Sequence, residues 1–211
     1  MRLRRGMYYV SLKNKIAGAL LGMTALGGGI TAVVKHNEGY SETSYLDSAG
    51  VWTICYGETK DVKRGMRLTR GACDTQLTLS IQEHSKALQG LPESLPDVVV
   101  LGSVDMTYNV GIWGFSSSQV KRRLMVGDFK GAAAAVLSWR YIHKQSVVSP
   151  GLGWVLVKGT KNKWQFDCSQ LLQGKRNRVC WGLWERRVWQ SKAIGNEFKS
   201  VQDAIQALPN T

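Results

Sequence analysis

Three residues near the start of the chain have the types and spacing of a hydrolytic site: Glu38, Asp47 and Thr53. Cutting a glycosidic bond needs one carboxylic acid to protonate the leaving oxygen. It also needs a second polar group to activate or position a water. Glu38 stands just before Gly39, at the expected end of a helix, where packing raises the pKa of a carboxyl. Asp47 lies across a short turn punctuated by Asp47-Ser48 and Gly50, and Thr53 falls in the run Val51-Trp52-Thr53-Ile54-Cys55-Tyr56, which has strand composition. A helix followed by a small antiparallel hairpin can point all three into one cleft. Glu42 and Glu58 are alternative carboxylates in the same stretch, and any surface hairpin can carry acids, so these residues alone leave the choice open.

The elements that position this stretch begin with an apolar segment. Ile16 to Val34 contains no charged side chain; Arg2, Arg4, Arg5, Lys13 and Lys15 precede it and Lys35 follows it. This is the pattern of an export or membrane signal with its basic end in the cytoplasm. As a helix the run spans roughly 28 Å, just short of a hydrocarbon core of about 30 Å. It is also weakly apolar, because Gly18, Gly22, Gly27, Gly28, Gly29, Thr24 and Thr31 contribute little transfer energy. A permanent anchor, a cleaved signal peptide and an anchor that can leave the bilayer all fit it.

Downstream, Thr69 is a plausible N-cap for a helix through about Gln89, broken by Leu91-Pro92 to Pro96. Val98 to Tyr108 is apolar enough for a buried core helix, Ser116 to Met125 opens on a Ser-rich cap, and Asp128 to Tyr141 carries the helix-forming run Ala132 to Ala135. Glycines, Pro150 and alternating Trp154 to Lys158 suggest a hairpin-like insertion over residues 144–179, after which Trp181 to Gln190 is helical again. The fold class is therefore α+β, mainly helical with a small antiparallel sheet. Trp181, Trp184 and Trp189 have the spacing of a helix face, so core packing is expected of them over sugar stacking.

The net charge of +13 favours polyanions: nucleic acid, anionic lipid or an acidic cell wall. No helix-turn-helix, ribonucleoprotein motif or basic repeat is evident, so a nucleic-acid partner is not expected. His36, His84 and His143 are scattered, and none of the four cysteines sits in a C-x-x-C pair, so no metal site is expected.

The spacing of Glu38, Asp47 and Thr53, within N-E-G-Y and Y-L-D-S-A-G-V-W-T-I-C-Y-G, resembles the Glu–Asp–Thr triad of the phage-type lysozymes, glycoside hydrolase family 24. Three further stretches, in order, resemble that family: Tyr108-Asn109-Val110-Gly111; Phe115-Ser116-Ser117-Ser118 with Leu124; and Gly182-Leu183-Trp184-Glu185-Arg186-Arg187. The resemblance implies a lysozyme-like fold and cleavage of the β-1,4 bond from N-acetylmuramic acid to N-acetylglucosamine in peptidoglycan, with inversion. Glu38 would be the acid, Asp47 the base or water-orienting group and Thr53 its partner, with no metal or organic cofactor.

The N-terminus is similar to that of the signal-anchor-release endolysins, which are exported and tethered inactive to the host inner membrane, N-terminus in the cytoplasm, and become active in the periplasm once the anchor leaves the bilayer. Some members are controlled by a disulfide that an anchor cysteine reshuffles. No cysteine here precedes Cys55, so control by position and refolding is expected. The implied organisation is a releasable signal-anchor at residues 1–35 and a muramidase domain at 36–211, monomeric once released.

There are departures from the family pattern: Glu58 stands where many members have His, and Asn37 where some have Asp. Cys168 and Cys180 flank a basic turn and are expected to pair, with Cys55–Cys73 as the second bridge. Arg186 and Arg187 are expected as ion-pair partners, one of them within reach of Glu38. A function from another class, a membrane-anchored basic module that binds peptidoglycan without cutting it, fits the charge and the anchor equally well.

Overall fold

A computed structural model describes residues 12–22, 24–47, 50–145 and 152–210. The apolar N-terminal run is not one helix but two. Helix α1 (Leu12–Leu21) and helix α2 (Ala25–Glu38) meet at 86°. Thr24 caps α2 by accepting the Gly27 N–H at 3.3 Å. Both helices pack into the molecule: Ile16, Leu26, Ile30, Val33 and Val34 belong to the main hydrophobic core. Burying five such side chains is worth on the order of 10 kcal/mol before entropy is charged, which is comparable with the whole stability of a domain. The segment is therefore integral to this folded state. Two glycines of this run, Gly27 and Gly29, are close-approach points here. A Cβ on Gly27 would meet the Ala19 carbonyl oxygen at 2.1 Å, and one on Gly29 would meet Val201 Cγ1 at 2.3 Å.

After α2, strands β1 (Ser41–Leu46) and β2 (Trp52–Cys55) form an antiparallel hairpin with Tyr45 opposite Thr53 and Leu46 opposite Trp52. Helix α3 (Arg70–His84) starts from Thr69, whose hydroxyl accepts the Ala72 N–H, and continues as a 3-10 turn, Ser85–Leu88. The Cys55–Cys73 disulfide ties the hairpin to α3.

Helix α4 (Asp97–Ser116) is the centre of the larger lobe, with every residue from Val98 to Thr107 buried. It is long and apolar enough to cross a membrane, yet it is a core helix here, packed against α2, α3 and α7 (Trp181–Ile194). Gly111 (φ 80°, ψ 160°) breaks it. Helices α5 (Gln119–Met125) and α6 (Phe129–Val136) follow, capped by Ser118 and Asp128.

Several boundaries differ from the sequence reading. The α5 cap is Ser118, two residues past Ser116. Helix α6 ends at Val136, and Tyr141 already begins a strand, because Arg140 leaves the helix to form an ion pair with Asp167 at 3.0 Å. The inserted lobe therefore starts at β3 (Tyr141–Lys144), which joins β5 (Trp164–Asp167) and β4 (Trp154–Leu156) in the order β3-β5-β4. A small pair, β6 (Leu171–Leu172) and β7 (Lys175–Arg176), leads to the Cys168–Cys180 bridge and into α7. The lobe's tie between residues 146 and 151 lies outside the described residues. Helix α8 (Val201–Gln206), which the sequence reading lacked, closes on α2. Of the three tryptophans of α7, only Trp189 is core, its indole N–H donating to the Ala204 carbonyl at 2.8 Å; Trp181 and Trp184 are half-buried.

Candidate active site

Glu38 is the last residue of α2, and Gly39 (φ 72°) turns the chain out of the helix into β1. The glycine conformation is what allows the helix to stop there and the hairpin to begin two residues later. The Glu38 side chain is 22% exposed. Its Oε1 accepts from Arg186 Nη2 at 3.0 Å, while a Cβ on Gly57 would stand 3.6 Å from Oε2. Burial pushes the Glu38 carboxyl above its ordinary value. The Arg186 guanidinium opposes this, the Asp105 carboxylate adds to it, and His84 opposes it weakly. The C-terminal end of the α2 dipole acts in the same sense as burial, since it disfavours an anion.

Asp47 and Thr53 converge on the backbone of one residue, Val51. Asp47 Oδ1 accepts the Val51 N–H at 2.8 Å, the Asp47 N–H donates to the Val51 carbonyl at 3.0 Å, and the buried Thr53 hydroxyl donates to that same carbonyl at 3.1 Å. The hairpin register thus brings two of the three sequence-predicted residues together. Glu38 ends the helix that feeds the hairpin, and its hydrogen bond runs to Arg186 of α7. The alternative carboxylates serve their local turns. Glu42 accepts from the Tyr40 hydroxyl at 2.8 Å, and Glu58 accepts the backbone N–H groups of Thr59 and Lys60.

The sequence reading missed the residues behind Glu38. Asp105, 1% exposed, pairs with Arg186 at 2.9 Å and accepts from Asn37 Nδ2 at 2.9 Å and Gln190 Nε2 at 2.6 Å. A signal was present: Asp105 is the lone acid inside the apolar run from Val98 to Met106, and a buried charge demands a partner. Arg186 does reach Glu38, as expected of one of the pair. Arg187 instead donates to amide and carbonyl oxygens of Asn109, Gln190 and Trp139, not to a carboxylate. His84 and Tyr108 pack ring to ring at 4.7 Å on the same side, and burial raises the Tyr108 pKa. The His36 Nε2–H donates to the Pro209 carbonyl at 2.8 Å.

Comparison with known proteins bears on family and fold. Residues 35–153 match the family model described as phage lysozyme. The chain is 30% identical to the SAR-endolysin of Enterobacteria phage P21 over 143 residues, 62% of this chain and 83% of that protein. It is 30% identical to the SAR-endolysin of Escherichia phage N15 over 164 residues, 71% of this chain and 86% of that protein. Among solved structures, the endolysin from Escherichia coli O157:H7 phage FAHEc1 superposes with a TM-score of 0.56 at 24% identity, covering 81% of this chain and 92% of that one, which supports the fold. With more than half of its length matched by the family model, and a lysozyme-like arrangement of helices around a small hairpin, this chain belongs to the phage lysozyme family, a family of peptidoglycan-degrading glycosidases.

Proposed function

We propose that this chain is an endolysin that hydrolyses the β-1,4 bond between N-acetylmuramic acid and N-acetylglucosamine in peptidoglycan, with inversion, and so lyses the host cell. The observation that carries this reading is Glu38, a partly buried carboxyl with a raised pKa beside the hairpin of Asp47 and Thr53. Glu38 gives its proton to the glycosidic oxygen as the C1–O bond breaks. A water held by Asp47 and Thr53 attacks C1 from the opposite face and gives its proton to Asp47, so the product ends in a new reducing sugar. The reaction as written balances with water alone.

Residues 1–35 act in this reading as a releasable signal-anchor, tethering the 36–211 muramidase domain to the periplasmic face of the inner membrane. In that state Glu38 lies only four residues past Val34, the end of the uncharged run, or about 6 Å along a helix, too near the bilayer to complete a cleft. On release, α1 and α2 dock into the core and Glu38 reaches Arg186. The SAR-endolysin names of the relatives support this sequence of states. The released enzyme acts as a monomer in the periplasm.

Because α1 and α2 supply core side chains, the test uses the full-length chain, purified from detergent. It is added to outer-membrane-permeabilised Gram-negative cells beside Glu38→Gln. Clearing by the wild type alone, with new reducing ends in the digest, supports the reading. Equal clearing by both folded proteins would remove Glu38 as the acid and favour the non-cutting binding module.

A further inference from the structure

Arg186 poses a difficulty for a general acid. A guanidinium 3.0 Å from Glu38 Oε1 favours the ionised carboxylate, whereas a proton donor must be protonated when the substrate binds. The fold places a second carboxylate on the same cation. Arg186 Nη2 donates to Asp105 Oδ1 at 2.9 Å as well as to Glu38, and Arg186 Nε donates to Asp105 Oδ2 at 3.4 Å. Asn37 and Gln190 donate to Asp105 as well, so each of its four contacts uses an oxygen lone pair, the pattern of an ionised carboxylate.

The charge arithmetic then decides. With Asp105 present, the cluster of Arg186, Asp105 and Glu38 is neutral when Glu38 is protonated and carries one negative charge when it is ionised. Without Asp105, the cluster is neutral only when Glu38 is ionised. In a poorly solvated site the neutral total is favoured. The other groups facing Glu38 are His84 from the end of α3 and Tyr108 from α4, with Glu58 of the turn after β2 acting on Tyr108. None of them bonds the guanidinium as Asp105 does. Resting on the reading of Glu38 as general acid, we propose that Asp105 is a positioning residue: it neutralises and holds Arg186, and thereby keeps Glu38 available as a proton donor. Asn37, next to Glu38 in the chain, and Gln190, one turn beyond Arg186 on α7, fix the Asp105 carboxylate in that role.

The test is the pH dependence of kcat on soluble glycan fragments, measured with the full chain as wild type, Asp105→Asn, Arg186→Gln, the double variant and Glu38→Gln. In Asp105→Asn the alkaline fall in activity is expected about one pH unit or more lower than in wild type, a tenfold loss at a pH on that limb. In Arg186→Gln it is expected higher than in wild type, and in the double variant between the two. A merely structural Asp105 lowers kcat and leaves the limb in place, which overturns the proposal. Should Asp105→Asn not fold, Arg186→Gln is compared with the double variant: the limb must be higher where Asp105 remains, and equal limbs overturn the proposal. An active Glu38→Gln sinks the general-acid reading itself; an inactive one with unmoved limbs sinks only the role of Asp105.

Discussion

At the residue scale, the proposed chemistry rests on a carboxyl whose folded-state pKa is raised. The linkage sign follows from that direction. The fold favours protonated Glu38, so its contribution to stability is full below the ordinary carboxyl range and is lost as pH rises through the raised value. Glu38→Gln removes that loss. We expect the variant to melt above wild type at pH 7–8, by about 3 °C for each kcal/mol recovered, with the difference vanishing near pH 4. A thermal melt at both pH values checks it, and a variant less stable at neutral pH contradicts the assignment of burial as the leading cause. Thr53 gives a second expectation. Its hydroxyl is anchored on the Val51 carbonyl, leaving oxygen lone pairs for a water. Thr53→Val is expected to lower kcat about 100-fold with a small change in melting, and Thr53→Ser to retain most activity. The helix end, turn and strand that carry Glu38, Asp47 and Thr53 were legible from local signatures in Gly39, Gly50 and the run from Val51 to Tyr56, whereas the choice of those three residues over Glu42 and Glu58 came from the family resemblance. For Asp105 the sequence marks only a lone acid in an apolar run; its partner, Arg186, lies 81 residues away and no local pattern links the two.

At the element scale, the proposed signal-anchor role gives α1 and α2 two solvents to satisfy. The same glycines that make the run from Ile16 to Val34 a poor membrane span let α2 approach Ala19 and Val201. Gly29→Val should therefore improve the segment as an anchor and overpack the released fold by about 1–3 kcal/mol. Fractionation of expressing cells is expected to show more protein retained in the membrane and slower lysis; unchanged partition and lysis would contradict a dual role for Gly29. The bend at Thr24 was not readable from an uncharged run that is continuous in sequence, because it is set by what α1 packs on, including the Lys15–Asp97 pair at 2.7 Å. The disulfides were readable. The Cys168–Cys180 bridge closes a separation of 12 residues, and its removal by Cys168→Ser with Cys180→Ser is expected to cost about 3 kcal/mol, by chemical denaturation of the full chain.

At the scale of the whole molecule, the fold class came through because periodicity and caps mark long helices well: the starts at Thr69 and Val98 were placed to within a residue, while α4 runs on past Tyr108 to Ser116. The lobe after Arg140 and helix α8 were harder, since short strands and a six-residue helix are fixed by tertiary contacts such as Arg140–Asp167 and the docking on α2. Net charge acts at this scale too. With +13 on the chain, capture of an anionic wall is steered over long range, so the initial clearing rate should fall several-fold between about 10 mM and 150 mM salt while kcat on short neutral fragments stays level. A salt-independent clearing rate would remove steering from the account.

The most direct test of the central claim reads the bond and the stereochemistry together. Purified peptidoglycan is digested with the full-length enzyme, and the first reducing ends are followed by proton NMR before mutarotation. The account requires new N-acetylmuramic acid reducing ends that appear first as the α-anomer. New N-acetylglucosamine ends, a 1,6-anhydro product or an initial β-anomer would contradict it.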